Sequence, residues 1–140
     1  MYNVISSMLN KSIFKAYDVR GIYPKDVNKE AVEAVISGLK HLWNEGDIVV
    51  ACDGRHGSEE LSKHAFELIG KTGKNFTPIY VGLSTTPMFY FLVNHLKASG
   101  GVMITASHNP KEYNGVKAVK AEAESISGKE LLELVEKNNA

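Results

Sequence analysis

Asp47-Ile48-Val49-Val50-Ala51-Cys52-Asp53-Gly54-Arg55-His56-Gly57-Ser58-Glu59-Glu60-Leu61 is the stretch that decides the fold. A short apolar run rich in β-branched residues reads as a strand over 48–52. Residues 53–57 carry charge and two glycines, so they turn the chain. Ser58 then reads as the cap of a helix whose first turn holds Glu59 and Glu60, where carboxylates suit the positive end of the helix dipole. Leu61, Ala65, Leu68 and Ile69 form the buried stripe of that helix, and Gly70 and Gly73 weaken it toward its end. A strand that runs through a polar turn straight into an amphipathic helix is half of a β-α-β crossover.

The same alternation extends outward. Upstream, Val32, Val35, Ile36, Leu39, Leu42 and Trp43 recur at helical spacing, with Asn28 as N-cap and Gly46 as stop. Downstream comes a strand over 76–81, then the loop Gly82-Leu83-Ser84-Thr85. Thr86-Pro87 reads as N-cap plus N1 proline of a helix through Met88, Phe89, Leu92, Val93 and Leu96, which Gly100-Gly101 ends. A strand over 102–105 leads into a polar loop, and 116–119 are expected to return beside it. A final helix begins at Ser127, where Ser127-Gly128-Lys129-Glu130 has the capping-box spacing and Leu131, Leu132, Leu134 and Val135 supply an apolar face. Such alternation implies an α/β fold, a three-layer α/β/α sandwich with a mainly parallel mixed sheet. Loops 53–57, 82–85 and 106–114 all leave strand carboxyl ends, so they gather along the edge where open α/β sheets bind ligands. One domain is expected over 13–140, with 1–12 an N-terminal extension that frays, as do 138–140.

Sixteen Lys and Arg cancel sixteen Asp and Glu in this 140-residue chain. No net field draws it to nucleic acid or to an anionic membrane, so neither is expected as a partner, and any anion must be held locally. The apolar runs fall far short of the roughly 18 residues of a membrane span, and none follows a basic start. A soluble, cytoplasmic chain is the expectation. The single cysteine, Cys52, has no internal disulfide partner and reads as a small buried hydrophobe.

The polar loop after the 102–105 strand carries Thr105-Ala106-Ser107-His108-Asn109-Pro110, followed by Lys111-Glu112-Tyr113-Asn114-Gly115-Val116-Lys117. It places a hydroxyl where a rigid scaffold holds it at a surface. Serine is a poor nucleophile until something activates it or a reactive group is brought to it. Neighbours in an extended segment point to opposite sides, so Ser107 and His108 suit two separate roles better than a direct proton relay. No G-x-S-x-G elbow is present, which disfavours a hydrolase triad. Asn109 before Pro110 is pushed toward an extended conformation and a fixed loop shape. Taken alone, these residues leave open a catalytic serine and one that merely satisfies a turn.

Thr105-Ala106-Ser107-His108-Asn109-Pro110 with Tyr113-Asn114-Gly115 and Lys117 resembles the phosphoserine loop of the α-D-phosphohexomutases, the phosphomannomutase and phosphoglucomutase superfamily. Phe14-Lys15-Ala16-Tyr17-Asp18-Val19-Arg20-Gly21-Ile22-Tyr23-Pro24 is similar to that family's opening motif, and Asp53-Gly54-Arg55 and Thr85-Thr86-Pro87 fall at its intermediate places. The resemblance covers residues 13–137 and corresponds only to the first of the family's four domains. It implies that Ser107 carries the transferable phosphoryl group, adding about −1.5 to −2 charge at the sheet edge. The implied reaction interconverts hexose 1-phosphate and hexose 6-phosphate through hexose 1,6-bisphosphate, which is both intermediate and activator. His108 and Lys117 resemble residues that assist proton transfer and stabilise charge near the reacting oxygens. Asn109 resembles a residue that positions the loop or the substrate. Tyr17 and Arg20 match residues lining the same site, where Arg20 offers planar, charge-assisted hydrogen bonds to phosphate. Asp53 and Arg55 are expected to shape this edge through an ion pair that braces the serine loop. Outside the motif, Lys117 reads as a solvated strand residue, Tyr17 as a core aromatic with a wet hydroxyl and Arg20 as a surface ion-pair partner. The family often has a basic residue in place of Cys52 and a small hydroxyl residue in place of Gly57.

Phosphoryl transfer needs charge neutralisation, usually by a magnesium ion on hard oxygen ligands. The family supplies an Asp-x-Asp-x-Asp cluster from its second domain, and no such spacing exists among Asp18, Asp26, Asp47 and Asp53. The resemblance therefore implies Mg2+ in the complete enzyme, with Ser107, through its phosphate, as the ligand from this chain. The remaining ligands are absent from it. A phosphosugar substrate and the remaining domains of the same enzyme are the implied partners, and the isolated chain is expected to lack full turnover. Tyr113 favours the phosphomannomutase/phosphoglucomutase subgroup over the phosphoglucosamine mutases, which tend to have Asp there. The alternatives are a phosphoglucosamine mutase first domain, a non-catalytic phosphosugar-binding module, and a structural interaction domain with an exposed apolar face.

Overall fold

Ile48, Val50 and Cys52 pack into one hydrophobic core, and Val49 and Ala51 pack into another. That alternation is the period of a strand buried on both faces. In the computed structural model, which describes residues 9–138, this strand is β2 (Gly46–Cys52). It lies between β3 (Phe76–Leu83) and β4 (Gly100–Ile104), parallel to both. Beyond β4 come β5 (Tyr113–Lys120) and then β1 (Val19–Ile22), each antiparallel to its neighbour. The sheet order is β1-β5-β4-β2-β3, with β5 the one reversed strand, so the mainly parallel mixed sheet expected from the alternation is the one found.

Among the described residues, four α-helices complete the α/β/α layers. Helices α1 (Lys29–Leu39), α2 (Ser58–Gly70) and α4 (Gly128–Asn138) share the first core, where Val32, Leu61, Ile69 and Leu131 meet Val50, Ile104 and Val116. Helix α3 (Thr86–His95) covers the other face, burying Phe89 and Val93 against Val49, Ala51 and Met103. Complete burial of Phe89 contributes about 2–3 kcal/mol of transfer free energy. Cys52 is buried, in keeping with its reading as a small hydrophobe.

Several boundaries depart from the sequence reading for identifiable reasons. Helix α1 ends at Leu39 rather than running through Trp43; residues 40–43 tighten into a turn, with Leu42 and Trp43 amides bonded to the Leu39 carbonyl. That turn lays the Trp43 indole over Gly100 and lets its Nε1 donate to the Val119 carbonyl at 3.0 Å. Gly100 and Gly101 therefore open β4 instead of merely ending the preceding helix. A Cβ at Gly101 would stand 2.8 Å from the Phe89 ring and 2.9 Å from the Val49 carbonyl. Thr85, one residue ahead of the expected cap, accepts the Met88 amide at 3.2 Å. Ser58 begins α2 as its first residue, and Gly57, at φ 88°, is the cap. Strand β1 carries no periodic signal because it is only four residues long. Asn28 and Ser127 do cap their helices, accepting the amides of Ala31 and Glu130. The fraying expected of 1–12 and 138–140 falls mostly outside the described residues; within the overlap, Asn10 caps a 3-10 turn over Lys11–Ile13 through the Ser12 amide. Among the described residues, no helix is long and apolar enough to cross a membrane.

Candidate active site

The carboxyl ends of β1, β2, β3 and β4 share one edge of the sheet, because β5 alone runs the other way. From β2 the chain moves outward to β3, and from β4 it moves the opposite way to β5. Their loops separate at this point, the location where open sheets form a ligand crevice. Loop 53–57 lies on one side and the serine loop on the other.

The serine loop is built on backbone carbonyls turned inward. Thr105 is buried, donates its amide to the Gly115 carbonyl at 3.0 Å, and accepts the Ser107 amide on its hydroxyl at 3.0 Å. Ser107 then adopts a left-handed φ of 55°, a conformation costing about 1 kcal/mol for a residue with a Cβ. Asn109 closes the turn, its amide and its Nδ2 both donating to the Ala106 carbonyl at 3.1 and 2.8 Å. From across the crevice, Arg55 collects what remains. Its Nη1 donates to the carbonyls of Pro110 (2.7 Å) and Tyr113 (3.2 Å), and its Nη2 to those of Ser107 (2.8 Å) and Asn109 (2.6 Å). Its Nε lies 3.4 Å from Asp53 Oδ2. Every arm of the guanidinium fork is thereby occupied.

Asp53 anchors that fork. Its Oδ1 accepts the Arg55 amide at 3.0 Å and the Ser58 hydroxyl at 2.6 Å. This second bond explains why Ser58 does not cap its helix: its hydroxyl is committed to the loop. Ser58 Oγ in turn accepts from Nδ2 of the fully buried Asn114 at 2.9 Å, and that Nδ2 also donates to the His56 carbonyl at 3.1 Å. One polar chain thus runs from α2 through loop 53–57 to the start of β5, beneath the serine. The side chains of Ser107 and His108 are exposed and make no hydrogen bond among the described residues.

A second cluster lies on β1 and β5. Phe14 bridges Val19, and the Lys15 amide donates to the Asp18 carbonyl at 2.7 Å, so residues 14–19 form a tight hairpin. Gly128, at the start of α4, packs against the Lys15 and Asp18 carbonyls with no room for a Cβ. Tyr17 stands at the tip, 73% exposed, which overturns its reading as a core aromatic. Asp18 is buried, with its carboxylate 2.8 Å from Arg20 Nε and 3.7 Å from Lys117 Nζ. The Asp18–Arg20 contact is an ion pair by distance but is not aligned as a hydrogen bond. Lys117 is 15% exposed and paired, so it is not a solvated strand residue.

The fold therefore groups Ser107, Asn109, Asp53 and Arg55 at the serine loop, and groups Arg20 with Lys117 on the neighbouring strands. Tyr17 and His108 reach outward and have no hydrogen-bond or ion-pair partner among the described residues. Two residues of this architecture, Asp18 and Asn114, carry no role in the sequence reading, and Ser58 carries a different one, that of helix cap. Asp18 has a faint signal in its position between two apolar stretches and two places before an arginine. Among the described residues, no group of three or more His, Cys, Asp or Glu is placed to hold a metal. Asp18 and Asp53 are engaged by cations, so the residues present do not by themselves form a magnesium site.

Comparison with known proteins bears on this geometry. Residues 11–140 match the family model described as phosphoglucomutase/phosphomannomutase, alpha/beta/alpha domain I. The chain is 40% identical over 114 residues to a protein of Xanthomonas campestris pv. campestris named for phosphohexose mutases, covering 81% of this chain and 25% of that relative. It is 37% identical over 121 residues to a Klebsiella pneumoniae phosphomannomutase, covering 86% of this chain and 76% of the relative. A crystal structure of a phosphoglucomutase/phosphomannomutase family protein from Burkholderia thailandensis is similar at a TM-score of 0.75 and 26% identity, over 93% of this chain and 30% of that one.

Proposed function

Because the chain belongs to the phosphoglucomutase/phosphomannomutase family, as its alpha/beta/alpha domain I, we propose that it is the nucleophile domain of a phosphohexomutase and that Ser107 is the phosphoryl carrier. The observation that carries this reading is the Arg55 fork. By drawing the carbonyls of Ser107, Asn109, Pro110 and Tyr113 inward, it leaves the Ser107 hydroxyl facing solvent on a rigid loop. A phosphoryl carrier needs that placement, since the group must be received and handed on without moving the backbone.

In the proposed cycle, a free hydroxyl of a hexose monophosphate attacks the phosphorus on Ser107. The new sugar O–P bond forms as the Ser107 Oγ–P bond breaks, and the hydroxyl proton passes to a base. The resulting hexose 1,6-bisphosphate reorients, and Ser107 Oγ attacks the phosphorus at the other end, releasing the isomeric monophosphate and restoring the phosphoserine. His108 and Lys117 are the proposed groups for proton transfer and charge stabilisation, and Arg20, Tyr17 and Asn109 for holding substrate or loop. Mg2+ in the complete enzyme would take the Ser107 phosphate as one ligand, the others coming from outside this chain. The chain spans about a quarter of the length of the Xanthomonas campestris and Escherichia coli relatives, at 25% and 26%. Full mutase turnover is therefore assigned to a larger assembly, acting on phosphosugars in the cytoplasm. Tyr113 favours a mannose or glucose phosphate over glucosamine phosphate.

The test is incubation with glucose 1,6-bisphosphate and Mg2+, followed by peptide mapping of phosphate by mass spectrometry. One phosphate on Ser107, lost in Ser107→Ala, is expected. Phosphate on another residue, or an unmodified Ser107 when the remaining domains are supplied, overturns the assignment.

A further inference from the structure

The buried carboxylate of Asp18 has no role in the cycle above, although its surroundings are unusual. Its side chain is 4% exposed and faces two cations, Arg20 Nε at 2.8 Å and Lys117 Nζ at 3.7 Å. Taking a carboxylate out of water is costly unless cations compensate it. Asp18 Oδ1 is also buried without a hydrogen-bond partner, as is Arg20 Nε. Two cations gathered around an imperfectly satisfied carboxylate is not an arrangement that maximises stability.

The register explains where the trio sits. Val19 pairs with Val116, and the next pair outward in that register sets Asp18 against Lys117. Arg20 pairs with Gly115, whose carbonyl accepts the Thr105 amide. Arg20 therefore lies two strand spacings, about 10 Å, from the residue that launches the serine loop. Lys117 and Val119 point to the same face of β5, and Val119 packs in the α3-side core, so the cations rise on that face. Side by side, two cations repel; a carboxylate between them lets both lie close, with a net surplus of one positive charge.

Resting on the phosphosugar reading, we propose that Asp18 is a positioning residue: it holds Arg20 and Lys117 together as a two-cation clamp for a phosphoryl group presented at the serine loop. It acts through those side chains and does not touch the substrate. Simple electrostatics makes the opposite forecast. Removing a negative charge beside a phosphate site should tighten phosphate binding, whereas a loosened clamp should weaken it.

The experiment is an NMR titration of the chain with inorganic phosphate, following the amides of residues 18–20, 107–109 and 117, for the wild type, Asp18→Asn, Lys117→Met and the double variant. Phosphate affinity is expected to fall about 10-fold in Asp18→Asn despite the gained charge, and the same change in the Lys117→Met background should have less than about a 3-fold effect. Tighter or unchanged binding in Asp18→Asn, equal losses in both backgrounds, or no phosphate response in the wild type overturns the proposal. If Asp18→Asn does not fold, Asp18→Glu decides, because its longer stem shifts both cations: weaker binding supports the clamp and unchanged binding refutes it. Failure of the function reading is separable. An unphosphorylated Ser107 beside an Asp18-dependent phosphate response removes the carrier role alone, and a phosphorylated Ser107 with an indifferent Asp18 removes the clamp alone.

Discussion

Arg55 and Ser107 stand 52 positions apart in sequence, yet Nη2 of the first donates to the carbonyl of the second at 2.8 Å. The bond is to the backbone of the proposed nucleophile, so it fixes the loop while leaving the hydroxyl unencumbered. The other arms of the same guanidinium hold Asn109, Pro110 and Tyr113, and Asp53 holds the guanidinium. The shape of the site therefore depends on one planar side chain.

Arg55→Lys is expected to fail as a replacement although it keeps the charge. An ammonium cannot span carbonyls on both sides of a fork. Hydrogen bonds from a charged donor contribute about 1.5–3 kcal/mol each, but most of the loop can recover water. A net loss of about 2 kcal/mol follows for Arg55→Lys, and about 3 kcal/mol for Arg55→Ala. Urea unfolding reads the loss, and hydrogen exchange should quicken at residues 107–113 well before the β2 core opens. Unchanged exchange there would remove the brace from the account.

Ser107 is left-handed, with φ 55°. Ser107→Gly relieves that conformation while adding freedom to the unfolded chain, so stability should stay within about 1 kcal/mol of wild type. Ser107→Val places a β-branched side chain in the same region and should cost about 2 kcal/mol. Both should lose all phosphoryl acceptance. A melting series on these variants separates backbone strain from chemistry.

The layered fold was legible because its central strands are short apolar runs between turn residues, and 48–52 and 102–104 alternate cleanly between two cores. The serine loop was legible from its motif. Less visible were the partnerships: Asn114 enters the sequence reading only within the Tyr113-Asn114-Gly115 motif, yet it is fully buried under Ser58 and His56. Asp18 likewise enters only within the opening motif and as one of four aspartates without metal-ligand spacing. Local pattern reports which way a side chain prefers to face, whereas these contacts join segments whose distance is set by sheet order. Ser58 shows the conflict directly, since a good capping residue gave up its cap for Asp53.

Tyr23 supplies a pH prediction. Burial, then the Glu60 carboxylate to which its hydroxyl donates at 3.3 Å, hold its phenol above the usual tyrosine value of 10.0. A group whose folded value is raised contributes stability that is complete below the unfolded value and is lost as pH rises through the folded one. Wild type should therefore lose stability relative to Tyr23→Phe only above about pH 10, with no difference in slope between pH 6 and 9. Urea midpoints of the two proteins from pH 6 to about pH 11 test it.

Glycines 70 and 115 should respond to alanine with opposite signs. At Gly70, the last residue of α2, a Cβ meets only Pro78 Cγ at 3.9 Å, an ordinary contact. Helix propensity then favours alanine by about 0.5–1 kcal/mol. At Gly115 a Cβ would overlap the Val19 carbonyl oxygen and stand 3.0 Å from that of Thr105. Both obstacles are backbone, so no rotamer change makes room, and relief requires β1 to part from β5 or the serine loop to part from both. Overpacking of this kind costs about 1–3 kcal/mol in a core that can adjust. Here the loss should reach the top of that range and be accompanied by altered amide shifts at Arg20, Thr105 and Ser107. A Gly115→Ala protein with wild-type stability and unshifted Ser107 would mean that the junction of β1, β5 and the serine loop is looser than these contacts require.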